Sequence, residues 1–167
     1  MASSQFISLL KVHEHLLNRP PTTETFEDRM IAQKIGYLSS KLGVYLGEFN
    51  WEWYKRGPYS RAFTKVVFES NSYRQDELLE ISSKYSLQNE AKKSLQPLIN
   101  IIKNRPVNLS EASWLELLAS VLYIYSEFCT SVSDYFNILQ ERKPNKYSYS
   151  DFMNAWSSLK GEHFFEY

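Results

Sequence analysis

Residues 51–61 read Trp51-Glu52-Trp53-Tyr54-Lys55-Arg56-Gly57-Pro58-Tyr59-Ser60-Arg61. The approach to this stretch, from Val44, is β-branched and aromatic, with Phe49, Trp51 and Trp53 alternating against Asn50 and Glu52. That pattern predicts an extended segment over 44–54, either one strand or a short ribbon pair bent near Gly47. Lys55 to Ser60 then reads as a turn, because glycine and proline supply the backbone geometries a reversal needs. Ser60 is a good cap for a helix over 61–68. One small β element, set among helices, follows from these residues.

Outward from it the period is helical. Upstream, Phe6, Leu9, Leu10, Leu16 and Leu17 recur at helical spacing, and Asn18-Arg19-Pro20-Pro21 ends that helix. Thr23 or Thr25 caps a second, with Glu27 and Asp28 in its positive first turn and Phe26, Met30, Ile31, Ile35, Tyr37, Leu38 and Leu42 on its apolar face. Gly36 within it predicts a close helix crossing, and Gly43 a left-handed stop. Downstream, residues 76–85 form a short helix, and 90–103 a better one that Pro97 interrupts. Ser110-Glu111-Ala112-Ser113 opens a helix apolar nearly all round, from Trp114 to Phe128, which belongs at the centre of the core. Helices over 133–142 and 150–160 complete the chain.

The fold class predicted is therefore mainly α. It is a helical domain with a small β-hairpin or wing, winged-helix-like, and a helical C-terminal extension. The 167 residues make one domain, with a winged helical core over 1–127 and the extension over 128–167. A hydrophobic share of 43% with 23% charged residues excludes a disordered chain. No apolar run has membrane-helix length, and the first residues lack a secretory pattern. A single cysteine, Cys129, excludes an internal disulfide, so a cytoplasmic address is expected.

Few patterns carry chemistry. His13 and His15 lie two apart, which on a helix sends the imidazoles to different faces, and His163 is isolated. They read as surface or boundary histidines, with no metal site. Cys129 follows an apolar helix and reads as buried and inert. No glycine-rich phosphate loop is present, and scattered carboxylates such as Asp28, Glu48 and Glu52 are explained by solvated faces. Neither an enzyme nor a cofactor is expected.

Residues 51–61 stand apart for function as well. Nineteen basic and nineteen acidic residues give zero net charge, so no whole-molecule field attracts nucleic acid. Over 51–66, however, Lys55, Arg56, Arg61 and Lys65 stand against Glu52 alone, a local excess of three. Rings interleaved with cations suit a protein interface or phosphate contact. Trp51 and Trp53 are assigned to the core. Lys55, Arg56 and Arg61 are either contacts or simply solvated. The aromatic share, 16%, with twelve tyrosines, and the aromatic tail of Phe164, Phe165 and Tyr167 add to the case for an interface.

The helix over 30–42, the extended segment and Trp53-Tyr54-Lys55-Arg56-Gly57-Pro58-Tyr59-Ser60 together resemble the prokaryotic YwgA-like family. They are more distantly similar to the Panacea domain of SocA-type antitoxins, which carries a comparable tyrosine–glycine–proline turn. Trp114-Leu115-Glu116-Leu117-Leu118-Ala119-Ser120-Val121 resembles the family's second half, so the likeness spans roughly residues 5–127. It implies a mainly helical, winged-helix-like domain without catalytic residues or cofactor, acting by binding a protein in a toxin–antitoxin, mobile-element or defence context. The motif falls on Trp53, Tyr54, Gly57, Pro58, Tyr59 and Ser60; the longer helical tail departs from the antitoxin pattern.

The expected function is that of a non-enzymatic adaptor or regulatory protein. Its expected contact residues are Trp53, Tyr54, Lys55, Arg56, Gly57, Pro58, Tyr59, Ser60 and Arg61, its partner a protein, and no membrane is involved. The alternative is a winged-helix nucleic-acid-binding transcriptional regulator, with residues 60–68 near the groove and Lys55-Arg56 on phosphate.

Overall fold

Most helices begin where a short polar side chain satisfies the free N–H groups of a first turn. Ser3 caps α1 (Ser4–Leu17), and Thr25 caps α2 (Phe26–Lys41) in a reciprocal box with Asp28. The hairpin follows as β1 (Glu52–Tyr54) and β2 (Gly57–Tyr59), and Ser60 caps α3 (Arg61–Phe68). A single 3-10 turn, Glu69–Ser72, leads to α4 (Gln75–Ser83) and α5 (Asn89–Lys103), which start without a side-chain cap bond. Ser110, Ser131 and Ser148 cap α6 (Glu111–Glu127), α7 (Val132–Arg142) and α8 (Tyr149–Gly161). This computed structural model describes residues 1–166. Among them the chain is mainly α, with eight α-helices and one small antiparallel hairpin.

α6 occupies the centre, as its apolar composition requires. It packs against α2, α7, α8 and β2, and Trp114 is buried with its indole N–H donating to the Ile101 carbonyl of α5 at 3.1 Å. α1 lies against α2, α3, α4 and α5. No single helix among the described residues is long and apolar enough to cross a membrane.

Gly36 does mark a close approach. A Cβ there would stand 2.4 Å from Phe63 Cζ, so the α3 ring occupies the space that alanine would need. Phe63 is in turn edge-on to Phe49 at 5.0 Å and packs on Trp51 at 5.3 Å. The segment before the hairpin is thereby fastened to α3 through its aromatic residues.

Several expectations are corrected. Residues 44–51 are not a paired strand: only Glu52–Tyr54 finds a partner, in register with Tyr59, Pro58 and Gly57. Val44 and Leu46 still bury while Tyr45 stays exposed, so the alternation reported packing rather than sheet pairing. Gly57-Pro58-Tyr59 is the returning strand, and the turn itself is Lys55-Arg56. Pro97 lies inside α5 without ending it. Its missing N–H spares only the carbonyl of exposed Lys93, while Leu95, Leu98 and Ile101 stay buried. The C-terminal helices contribute Tyr135, Leu139, Phe152, Ala155 and Leu159 to the common core.

The aromatic tail is corrected likewise. Phe164 is buried, and Phe165 stacks between Tyr125 at 4.2 Å and Trp156 at 4.5 Å; Tyr167 lies outside the described residues. His13 is not at the surface. It is buried, and its Nδ1 lies 2.7 Å from the Arg19 carbonyl, which fastens the chain just after α1. Cys129 is exposed rather than buried, because α6 ends at Glu127 and the extended Phe128 leads the chain away from the core.

Candidate functional site

Gln33 and Lys34, polar residues inside the buried run of α2, hold the hairpin and the cap that follows it. Gln33 donates from Nε2 to the Ser60 carbonyl at 3.1 Å and to Thr64 Oγ1 at 2.8 Å, while its Oε1 accepts the Ser60 N–H at 3.2 Å. Lys34 donates from Nζ to the Pro58 carbonyl at 2.8 Å. Every polar atom of the Gln33 amide is thus used to fix the start of α3. Lys34 fixes β2. Satisfied at every polar atom, the Gln33 amide costs little to bury.

Gly57 completes the fit. Its φ of +95° lies in the region that favours glycine, and a Cβ there would come within 2.6 Å of Ser120 Oγ on α6. The hairpin therefore lies directly against the central helix. The sequence motif is explained by that contact: glycine for the approach, proline where no donor is needed, serine for the cap.

Behind the hairpin sits a charged cluster. Glu116, on α6, is fully buried. Its Oε1 accepts from Lys143 Nζ at 2.8 Å, Lys146 Nζ at 2.6 Å and the Tyr147 hydroxyl at 3.1 Å. Arg56 Nη1 lies 3.8 Å from Oε2. Burial works against the Glu116 carboxylate, but the bonds from Lys143 and Lys146 outweigh it and hold the group below its ordinary value. Burial also lowers the Lys34 ammonium, from 10.5 to about 7; Glu116 opposes the shift, and Lys143, Lys146 and Arg56 add to it. Lys143 reaches the Lys55 carbonyl at 3.4 Å as well, so the link between α7 and α8 braces the turn.

In front of the hairpin is a cavity of about 350 Å³ between α2, the hairpin and α3. Its floor is made by buried Met30, Gln33, Lys34 and Val67. Phe26, Tyr54 and Phe68, all exposed large rings, form its rim together with Arg29, Lys55, Arg56, Tyr59 and Thr64. The Arg56 guanidinium stands over the Phe26 ring at 5.3 Å, with Arg29 over the same ring at 5.9 Å. Tyr54 packs on Tyr59 at 5.3 Å, and the Tyr59 hydroxyl is 2.7 Å from Thr64 Oγ1. None of the residues lining the cavity is a carboxylate.

The residues expected to make contact divide into groups. Tyr54, Lys55, Arg56 and Tyr59 meet at the cavity. Gly57, Pro58 and Ser60 are buried and act as scaffold rather than as contact residues. Trp53 is half-buried on the opposite side, facing Arg142 at 4.7 Å, Lys143 at 5.4 Å and the Tyr123 ring at 5.8 Å. Arg61 is exposed but does not line the cavity. Sequence reasoning missed Arg29, Gln33, Lys34, Thr64, Phe68, Glu116, Lys143 and Lys146, and it placed Phe26 on an apolar buried face. The available signals were Gln33-Lys34 and Glu116, polar residues inside the two most buried helices.

No group of three or more His, Cys, Asp or Glu side chains among the described residues is arranged to hold a metal ion. Compared with protein-family models, curated proteins and solved structures, the chain finds no match.

Proposed function

We propose that this chain is a non-enzymatic adaptor or regulatory protein that binds a protein partner at the hairpin. The observation that carries the reading is the meeting of Phe26, Tyr54 and Phe68, exposed rings from three separate elements, with Arg29, Lys55 and Arg56 around one cavity. Exposed aromatic and arginine side chains around a recess are the ordinary make-up of an interface anchor. The rigid backing supports it further, since Lys34, Gln33 and Lys143 each hold a backbone atom of the hairpin or of its following cap. The likeness of residues 53–60 to the antitoxin-type turn favours a protein such as a toxin as the partner. A buried, partly apolar floor suits a side chain better than the backbone of a nucleic acid.

The test is co-purification of the tagged full-length chain from native cells, alongside Tyr54→Ala with Lys55→Glu. A partner retained by wild type and lost from the variant supports the reading. A chain recovered alone, or one whose partner is indifferent to both changes, removes it. A gel shift at low salt that depends on Arg56 and Arg61 would favour a nucleic-acid partner instead.

A further inference from the structure

The proposed function leaves the chemistry of the partner open, and the charges around the cavity bear on it. Arg29, Lys34, Lys55 and Arg56 line it. Lys143 and Lys146 stand behind, both within bonding distance of the buried Glu116 carboxylate. Four basic side chains thus line the cavity, and the Glu116 Oε1 behind them is already occupied by Lys143, Lys146 and Tyr147. Asp28 is turned to the Thr25 N–H in its capping box, and Glu27 and Glu52 do not line the cavity. Zero net charge over the whole chain makes this local excess a property of the site alone.

We infer that the cavity receives an acidic segment of the partner protein, in which one aromatic or large aliphatic side chain is flanked by Asp or Glu. The apolar side chain meets Met30 and Val67 on the floor and the Phe26, Tyr54 and Phe68 rings at the rim, and about 350 Å³ accommodates one such group. The flanking carboxylates pair with Arg29, Lys55 and Arg56, whose guanidinium and ammonium groups are partly or fully exposed. Lys34 contributes its charge from below without leaving its bond to Pro58, and has only that one hydrogen-bond acceptor. Its ammonium is faced by Glu116 from α6, by Arg56 from the hairpin, and by Lys143 and Lys146 from the α7–α8 link.

The inference rests on the hairpin being the partner site, and the experiment separates the two. Random dodecapeptides displayed on phage are panned against the full-length protein, and enriched sequences are synthesised with a fluorescein label for polarisation. The expected winners carry Asp or Glu next to Trp, Phe or Leu. Their affinity drops about tenfold or more with Lys55→Glu and Arg56→Gln together, an effect on the scale of a close charge pair. It is unchanged by Lys160→Glu on α8, and melting temperatures show that both variants are folded. Affinity also weakens as salt rises from about 0.1 M to about 1 M, where the screening length falls from roughly 10 Å to roughly 3 Å.

Winners rich in Lys or Arg, neutral winners, no winners, or acidic winners that bind the double variant unchanged would each overturn the inference. If the native partner is still lost from Tyr54→Ala with Lys55→Glu, the hairpin remains the site and only its acidic preference falls. If that partner is retained, the hairpin itself is wrong.

Discussion

Lys143 and Glu116 form a buried ion pair, Nζ 2.8 Å from Oε1, which ties the chain after α7 to the middle of the central helix. Both side chains are almost wholly removed from water, and the Lys143 charge is tolerated through Glu116, which Lys146 also serves. Because Lys143 also holds the Lys55 carbonyl, the pair connects the C-terminal helices to the tip of the hairpin.

Glu116→Ala is expected to destabilise the protein by about 3–5 kcal/mol, the usual cost of leaving one member of a buried pair uncompensated. Urea denaturation measures it. Glu116→Ala combined with Lys143→Met costs less than the sum of the single changes, because the orphaned charge is removed as well. In folded Lys143→Met, trypsin cleaves faster at Lys55-Arg56, since the turn has lost its brace.

His13 is an acid-sensitive group of the N-terminal half. Burial is the main reason its pKa falls from 6.5 to about 4; the bond to the Arg19 carbonyl opposes the shift, Arg19's charge adds to it, and Glu111 and Asp28 also oppose it. The folded state therefore binds this proton less readily than the unfolded state. Stability on its account is full above pH 6.5 and declines as pH falls through about 4, by on the order of 3 kcal/mol. A pH series of denaturation midpoints should show this slope, and His13→Leu should lack it.

Lys34 gives a slope of the same sign in the alkaline range. Its folded value of about 7 lies below the ordinary 10.5, so between those values unfolding takes up a proton and stability rises with pH. The window from about pH 7 to about pH 9 lies below the range in which tyrosines titrate. Lys34→Met flattens this slope, and at alkaline pH it also costs the bond to the Pro58 carbonyl.

Gly36→Ala improves helix propensity by about 1 kcal/mol and is nonetheless expected to destabilise. The new methyl meets Phe63 Cζ at 2.4 Å, in a ring held by Phe49 and Trp51, and overpacking of this kind costs about 1–3 kcal/mol. Phe63→Leu in the Gly36→Ala background recovers part of the loss, which thermal melts of the four chains would reveal.

Cys129 is exposed in the segment between α6 and α7. Ellman's reagent should titrate it in the native protein at about the rate of a free thiol, with no second phase on adding denaturant. Slow labelling that accelerates on unfolding would contradict its placement.

The residue order alone was enough for the helices, because caps and apolar spacing act within a few residues of one another. Ser3, Thr25, Ser60, Ser110, Ser131 and Ser148 all cap where short-range chemistry permits, and the all-round apolar α6 could only be central. Tyr54, Lys55, Arg56 and Tyr59, close together in the chain, do share one cavity. Their partners there were illegible. Arg29 and Lys34 come from a helix some twenty residues earlier, and Glu116, Lys143 and Lys146 from far downstream, with nothing in local spacing to join them. Local periodicity also could not tell an unpaired segment with alternating burial from a strand, nor assign Cys129 to solvent and His13 to the interior. Those outcomes depend on which surfaces meet, and helix packing across the chain settles that, not any window of sequence.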